Sequence, residues 1–187
     1  MANSLSCGHI IDDAMSAESE LLESFELDPP EMREATLGYL VKQDKVLLAM
    51  KKRGFGQGKW NGVGGKLESG ETPEDTMRRE ANEEVGIKPI TMRSIGIINF
   101  YSVKRDDPLN QRVHLFLIES WDGEPAESEE MMPRWFDTNS IPMEEMWPDD
   151  KYWLPHALAG SKIQASFLFD EDDKNILEQN VWVTKPD

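Results

Sequence analysis

The chain has 187 residues, 39% hydrophobic and 30% charged, which suits one ordinary domain with about 35 residues to spare and is too short for two. Its 36 Asp and Glu against 20 Lys and Arg leave a net charge of -16, so nucleic-acid polymers are poor partners, and an anionic substrate has to be met by a metal ion or a local basic group. No stretch approaches the roughly 18 apolar residues of a membrane span, the first thirty residues hold no Lys or Arg and no signal-peptide core, and Cys7 is the single cysteine; a protein neither secreted nor imported, in the reducing cytoplasm, is expected.

Residues 1–34 carry nine acidic residues against Arg33 alone and end near Pro29-Pro30. They read as a solvated, mostly disordered acidic tail, in preference to a short amphipathic helix docked on the domain or on a protein partner. The domain occupies residues 35–187. From Thr36, Leu37, Tyr39 and Val41, then Val46, Leu47, Leu48 and Met50, flank the turn-prone Lys42-Gln43-Asp44 as a β-hairpin. A Gly-rich loop spans Gly54 to Gly65. Thr72-Pro73-Glu74-Asp75 then supplies an N-cap, a proline at the first helical position and two first-turn acids, for a helix to about Val85 that stops at Gly86. Ile90 to Val103 and Arg112 to Glu119 alternate as strands around the polar loop Lys104 to Gln111. Glu127 to Glu130 form an acidic turn before Arg134-Trp135-Phe136. Ser140 to Met146 and Tyr152 to Leu158 read as short helical pieces, and Lys162 to Phe169 with Ile176 to Val183 as a closing hairpin. Strands alternating with helices predict an α/β fold, a mixed sheet with helices on its faces.

The helix after Thr72 has a crowded face. At about 100° per residue Glu80, Glu83 and Glu84 share one patch, where like charges repel unless something neutralises them. A solvated acidic face would interleave Lys at i+4, and this one does not. An all-oxygen site for a hard cation, Mg²⁺ above all, is the better reading.

The run Gly65-x5-Glu71-x7-Arg79-Glu80-Ala81-x-Glu83-Glu84-x-Gly86-Ile87 resembles the Nudix box, with every charged and glycine position filled and only Ala81 smaller than usual. The resemblance implies the Nudix fold, an α/β/α sandwich whose box forms a loop-helix-loop that holds divalent metal. Met50 to Gly62 and Met146-Trp147-Pro148-Asp149-Asp150-x-Tyr152-Trp153 further resemble the MutT-homologue branch, which hydrolyses oxidised purine nucleoside triphosphates. This likeness runs from about residue 36 to 183 and leaves the acidic tail untouched.

Carried over by position, the resemblance implies Glu80, Glu83 and Glu84 as ligands of Mg²⁺, with Mn²⁺ as a substitute, and Glu84 as the indispensable one. Arg79 would orient the carboxylates and Glu71 would support it. Gly65 lets the backbone come close and offers a carbonyl ligand. Glu130, from the acidic turn, would approach the metal site and help to orient or deprotonate water, the competing reading being a plain surface acid. Lys51 and Thr36 would lie near the substrate. Asn61 offers both donor and acceptor to a purine edge. If Asp149 and Asp150 face one pocket, one pKa should rise, so that a protonated carboxyl donates while its neighbour accepts. Such a pair suits the Watson-Crick edge of 8-oxoguanine or 2-hydroxyadenine. Phe55 and Trp147 would stack on the base. In the alternative, the two aspartates cap a helix starting near Tyr152 and Trp147 is a core residue. Gln111 and Ser102 stand where the branch commonly has apolar pocket residues, which bears on base preference. His9, His114 and His156 show no metal spacing.

The expected activity is therefore Mg²⁺-dependent hydrolysis of oxidised purine (deoxy)nucleoside triphosphates to monophosphate and pyrophosphate. The same box also serves ADP-ribose, dinucleoside polyphosphates, capped RNA and pyrimidine triphosphates, and a Nudix domain without activity can be a nucleotide sensor or interaction module.

Overall fold

The computed structural model describes residues 19–104 and 110–185. Its elements are α1 (Ser19–Leu27), β1 (Arg33–Lys42), β2 (Lys45–Lys51), β3 (Trp60–Asn61), α2 (Pro73–Val85), β4 (Lys88–Ser102), β5 (Gln111–Asp122), β6 (Met131–Asp137), α3 (Asp150–Leu158), β7 (Lys162–Phe169) and β8 (Ile176–Thr184). The strands form one mixed sheet in the order β3-β2-β1-β5-β4-β7-β8, with β6 paired to β2. β1 runs parallel to β5 and β4 parallel to β7, while the two hairpins, β1–β2 and β7–β8, are antiparallel.

Strand alternation sorts the apolar residues onto two faces. Tyr39, Val46 and Leu48 pack on one side with Trp153 and Leu154 of α3. Their neighbours Leu40, Leu47 and Ala49 pack on the other with Met77, Ala81 and Val85 of α2. The result is the three-layer α/β/α arrangement that the sequence predicts, with a core on each side of the sheet.

Helix α2 is bounded by its own chemistry. The Thr72 hydroxyl accepts from the Asp75 N–H at 3.2 Å, and the Asp75 carboxylate accepts in return from the Thr72 N–H at 3.3 Å, a reciprocal capping box. Gly86 ends the helix at φ 75°, the left-handed conformation that glycine adopts without a Cβ clash. Elsewhere the boundaries shift. The first hairpin strand starts at Arg33 rather than Thr36, the Gly-rich loop includes the short strand β3, and the expected helical piece at 140–146 contracts to a 3-10 turn over Met143–Glu145. The last helix begins at Asp150, two residues before Tyr152.

The acidic leader departs further from expectation. Residues 1–18, with Cys7 and His9, lie outside the described residues, but residues 19–27 form a docked helix and not a solvated tail. Leu22 is 2% exposed and packs with Tyr101 and Leu168, and the Phe25 ring lies 5.4 Å from that of Tyr101. The Leu22 N–H donates to the Glu178 carboxylate at 3.0 Å, and the Asn180 amide donates to Glu26 at 3.3 Å. A nine-residue acidic helix is marginal by itself, so its sequence signal is weak and its stability comes from the surface it meets. Replacing Leu22 by Ala should therefore lower unfolding free energy in urea by about 2 to 3 kcal/mol, the low end for a buried Leu; a solvated leader would leave the urea midpoint unchanged.

Candidate active site

Arg79 organises the acidic face of α2. Its Nε and Nη2 donate to the two oxygens of Glu71 at 2.8 and 2.9 Å, a fork-to-fork pair, while Nη1 reaches Glu80 at 2.7 Å and Glu83 at 3.2 Å. Nη2 also donates to the Lys66 carbonyl at 3.1 Å, which ties the helix to the loop before it. Glu71 further accepts from the Thr76 hydroxyl and the Glu68 N–H. These bonds, Arg79 first, hold its carboxyl down at about 2.

Glu84 is the buried member of the cluster, 5% exposed, whereas the Glu83 side chain is 57% exposed. It accepts from the Gly64 N–H at 2.9 Å and faces Lys51 Nζ at 3.5 Å. Burial pushes the Glu84 carboxyl up to about 7, against the Gly64 N–H and Lys51, and the nearby Glu80 charge adds to the rise. Gly65 lies against the cluster: a Cβ there would be 2.2 Å from Glu80 Oε1, so any other residue would push that carboxylate aside. The Gly65 carbonyl accepts from the Thr36 N–H at 2.8 Å and, at 3.5 Å, from the Thr36 hydroxyl. Lys51 also reaches Glu130 at 3.4 Å, so one ammonium links the carboxylate of α2 to that of the acidic turn, and Arg53 holds Glu130 from the other side at 2.7 Å.

With Arg79 and Lys51 as counter-ions, no three acidic, histidine or cysteine side chains among the described residues form a ready metal cage. The donor chemistry fits a hard divalent cation even so. Glu80, Glu83 and Glu84 lie within five residues of one helix, all their donors are oxygen, and the Gly65 backbone lies close against the Glu80 carboxylate. His114 is not part of this group; its ring pairs with Glu34 at 2.7 Å on β5.

A cavity of about 600 Å³ adjoins the cluster. Thr36, Lys51, Gly65 and Glu84 line it together with Phe55, Asn61, Trp147, Asp149 and Asp150. The structure thus gathers most of the sequence-predicted substrate residues around one space. Glu80, Glu83, Arg79 and Glu130 stand behind or beside its wall.

The two aspartates are buried, but they do not cap α3. The Asp149 carboxylate accepts from the Trp153 indole N–H at 3.1 Å, and that of Asp150 from the Trp147 N–H at 3.0 Å. Burial raises Asp149 to about 6 and holds Asp150 well above the ordinary carboxylate range, the Asp149 charge adding to the desolvation of Asp150. Both carboxyls therefore line one cavity with raised pKa values, the condition under which one of them can stay protonated. The Asn61 carbonyl oxygen accepts from the Tyr39 hydroxyl at 3.2 Å and from the Gly62 N–H at 2.8 Å, which leaves its amide N–H groups to face a ligand. Phe55 and Trp147 stack on one another, 4.9 Å between centroids and 25° apart.

Sequence reasoning missed Lys59, Tyr39 and Asp173. Lys59 lies 5.2 Å from the Trp147 ring centre, donates to the Met146 carbonyl at 2.9 Å, and is the cation that opposes the rise of both aspartates. Its alternation in the Gly-rich loop was the available signal. Gln111 lines the cavity as its position suggested, whereas Ser102 acts one step back, through Asp173.

The NUDIX domain family matches residues 32–157. The chain is 46% identical over 138 residues to the oxidized purine nucleoside triphosphate hydrolase of Danio rerio, covering 74% of this chain and 87% of that one. To the protein of the same name from Mus musculus it is 44% identical over the same shares. A crystal structure of the MutT mutator protein from Bacillus halodurans aligns with TM-score 0.70 at 26% identity, covering 80% of this chain and 97% of that one.

The buried aspartates carry a cost in stability. An acid whose folded pKa lies above its unfolded value binds more protons when folded, so stability falls as pH rises from the unfolded value, here 3.8, through the raised folded values, about 6 for Asp149. Asp150→Asn keeps an acceptor for the Trp147 N–H and removes the proton uptake. Its melting temperature should change less between pH 5 and pH 8 than that of the wild type, and it should be the more stable protein at pH 8. Parallel melting curves for the two would contradict a buried, proton-binding Asp150.

Proposed function

The chain belongs to the NUDIX family, and on that premise we propose that it hydrolyses oxidised purine nucleoside triphosphates, such as 8-oxo-dGTP and 2-hydroxy-dATP, to the monophosphate and pyrophosphate, with Mg²⁺ as its divalent ion. The observation that carries this reading is the single cavity with Glu84, Lys51 and Gly65 on its wall and Asn61, Asp149 and Asp150 on the same wall system. A phosphate chain and a purine edge can be met there by one ligand. The names of the Danio rerio and Mus musculus relatives support the same substrate class.

Glu80, Glu83 and Glu84, with the Gly65 carbonyl, would hold the ion, and Mn²⁺ has the same oxygen preference. When bound, a divalent ion there polarises phosphoryl oxygens and offsets their developing charge. Arg79 keeps Glu80 and Glu83 in place through its bonds to both and to Glu71. Lys51 lies between Glu84 and Glu130 and meets the charge of the phosphates, which overall surface charge cannot attract. Glu130, held by Arg53 and Lys51, would orient or deprotonate the water that attacks phosphorus in line as the bond to pyrophosphate breaks. At the base end, a protonated aspartate donates and its ionised neighbour accepts, while the Asn61 amide completes the edge. Phe55 and Trp147 cover the ring.

The substrate is a small molecule and not a nucleic-acid polymer, in keeping with the net charge of -16. Among the described residues no helix is long and apolar enough to cross a membrane. The reducing cytoplasm is the proposed setting, where the single Cys7 needs no partner.

The purified protein with Mg²⁺ should release monophosphate and pyrophosphate from 8-oxo-dGTP or 2-hydroxy-dATP in preference to dGTP, dATP and dCTP. Turnover of ADP-ribose or a dinucleoside tetraphosphate alone would overturn the substrate class. Glu84→Gln should lower kcat by about a thousandfold or more, the scale of losing a preorganised charge at the transition state, with the fold intact by circular dichroism. Asp149→Asn should instead reorder the substrates; an unaltered ranking would remove Asp149 from the base site.

A further inference from the structure

The base edge assigned above lies on the Watson-Crick side of a purine, whereas oxidation at C8 changes the opposite side. It places a carbonyl on C8 and converts N7 from an acceptor into an N–H donor. Asn61, Asp149 and Asp150 are therefore poorly suited to tell 8-oxoguanine from guanine. A group that does so has to lie elsewhere on the cavity wall and has to accept.

Asp173 meets both conditions. It lines the same cavity from the turn between β7 and β8, far along the sheet order from Asn61 on β3, and the lining also includes Phe100, Lys104, Val113 and Phe169. The turn that carries it is closed by the Asp173 N–H donating to the Asp170 carbonyl at 3.1 Å, with Asp173 at φ 56°. The hydroxyl of Ser102, itself 3% exposed, donates to Asp173 Oδ1 and fixes that oxygen. The second oxygen, Oδ2, forms an ion pair with Lys104 Nζ at 3.8 Å, too long for a hydrogen bond, and so keeps acceptor capacity beside that charge. Gln111 lies on the same wall. Ser102 and Gln111 are polar residues at positions commonly apolar in the MutT-homologue branch, and Ser102 here anchors a carboxylate that a polar wall tolerates.

We infer that Asp173 is a specificity-determining residue that accepts the N7–H of an 8-oxopurine, with Ser102 as the residue that positions it. The inference rests on the oxidised-purine reading above and deepens it. A carboxylate has no donor, so it attracts the N7–H of the oxidised base and repels the N7 lone pair of the unmodified one. For 2-hydroxyadenine and adenine, N7 is an acceptor in both, and Asp173 does not distinguish them.

The test compares kcat/KM of the wild type, Asp173→Asn and Ser102→Ala for 8-oxo-dGTP, dGTP, 2-hydroxy-dATP and dATP. Asn suits the left-handed backbone at this position and still offers Ser102 an acceptor, so the fold is preserved. In Asp173→Asn the 8-oxo-dGTP to dGTP ratio should fall by about tenfold or more, the scale of one charge-assisted hydrogen bond. Ser102→Ala should shift it the same way by less, and the 2-hydroxy-dATP to dATP ratio should hold in both variants. If both ratios hold in Asp173→Asn, or both fall together, the inference is overturned while the proposed function stands. A wild type that turns over none of the four purines overturns the function and this inference with it.

Discussion

Three glutamates on adjacent turns of one helix cannot stand together without a counter-charge, and the arrangement of the site follows from how that charge is supplied. Arg79 answers Glu71, Glu80 and Glu83 with one planar guanidinium, and its grip on the Lys66 carbonyl fixes the preceding loop to the helix. A lysine could not replace it, because a single ammonium cannot span two parallel bonds to Glu71 and still reach two other carboxylates. The glycines at 64 and 65 belong to the same constraint. They let the loop lie against Glu80 and donate to Glu84, so the backbone itself becomes part of the oxygen-rich surface.

The second cluster of acid obeys a different rule. Asp149 and Asp150 are buried beside a Trp-rich wall, and their charges are opposed by Lys59 alone at a distance rather than by a bonded cation. Each carboxylate instead has one fixed donor, the Trp153 indole or the Trp147 N–H. This leaves the remaining oxygens free to exchange a proton and to face a ligand. Glu71, forked to Arg79, is held low, whereas the buried Glu84, Asp149 and Asp150 are all raised by desolvation.

Helix α1 stands behind this arrangement. It packs on Tyr101, whose chain neighbours Phe100 and Ser102 point to the other side of β4, the first into the cavity and the second toward Asp173. The leader therefore supports the back of the strand that forms one cavity wall, a contact between a segment with no motif and the residues that shape the ligand site.

Much of the fold and most of the site were legible in the sequence because their determinants are local. The capping box at Thr72, the left-handed Gly86, the two-residue turn at Gln43-Asp44 and the i, i+3, i+4 spacing of the glutamates depend on residues within one or two turns of each other. Backbone sterics and like-charge repulsion act at that range, and the sequence by itself determined them. What only the tertiary structure decided lies between residues far apart in the chain. Lys51 joins Glu84 to Glu130, Tyr39 orients Asn61, Ser102 holds Asp173 across 71 positions, and Leu22 finds Tyr101 and Leu168. Each of these depends on which strands lie side by side. Strand order and register are set by burial on both faces of the sheet at once, a collective condition that no short window of sequence contains.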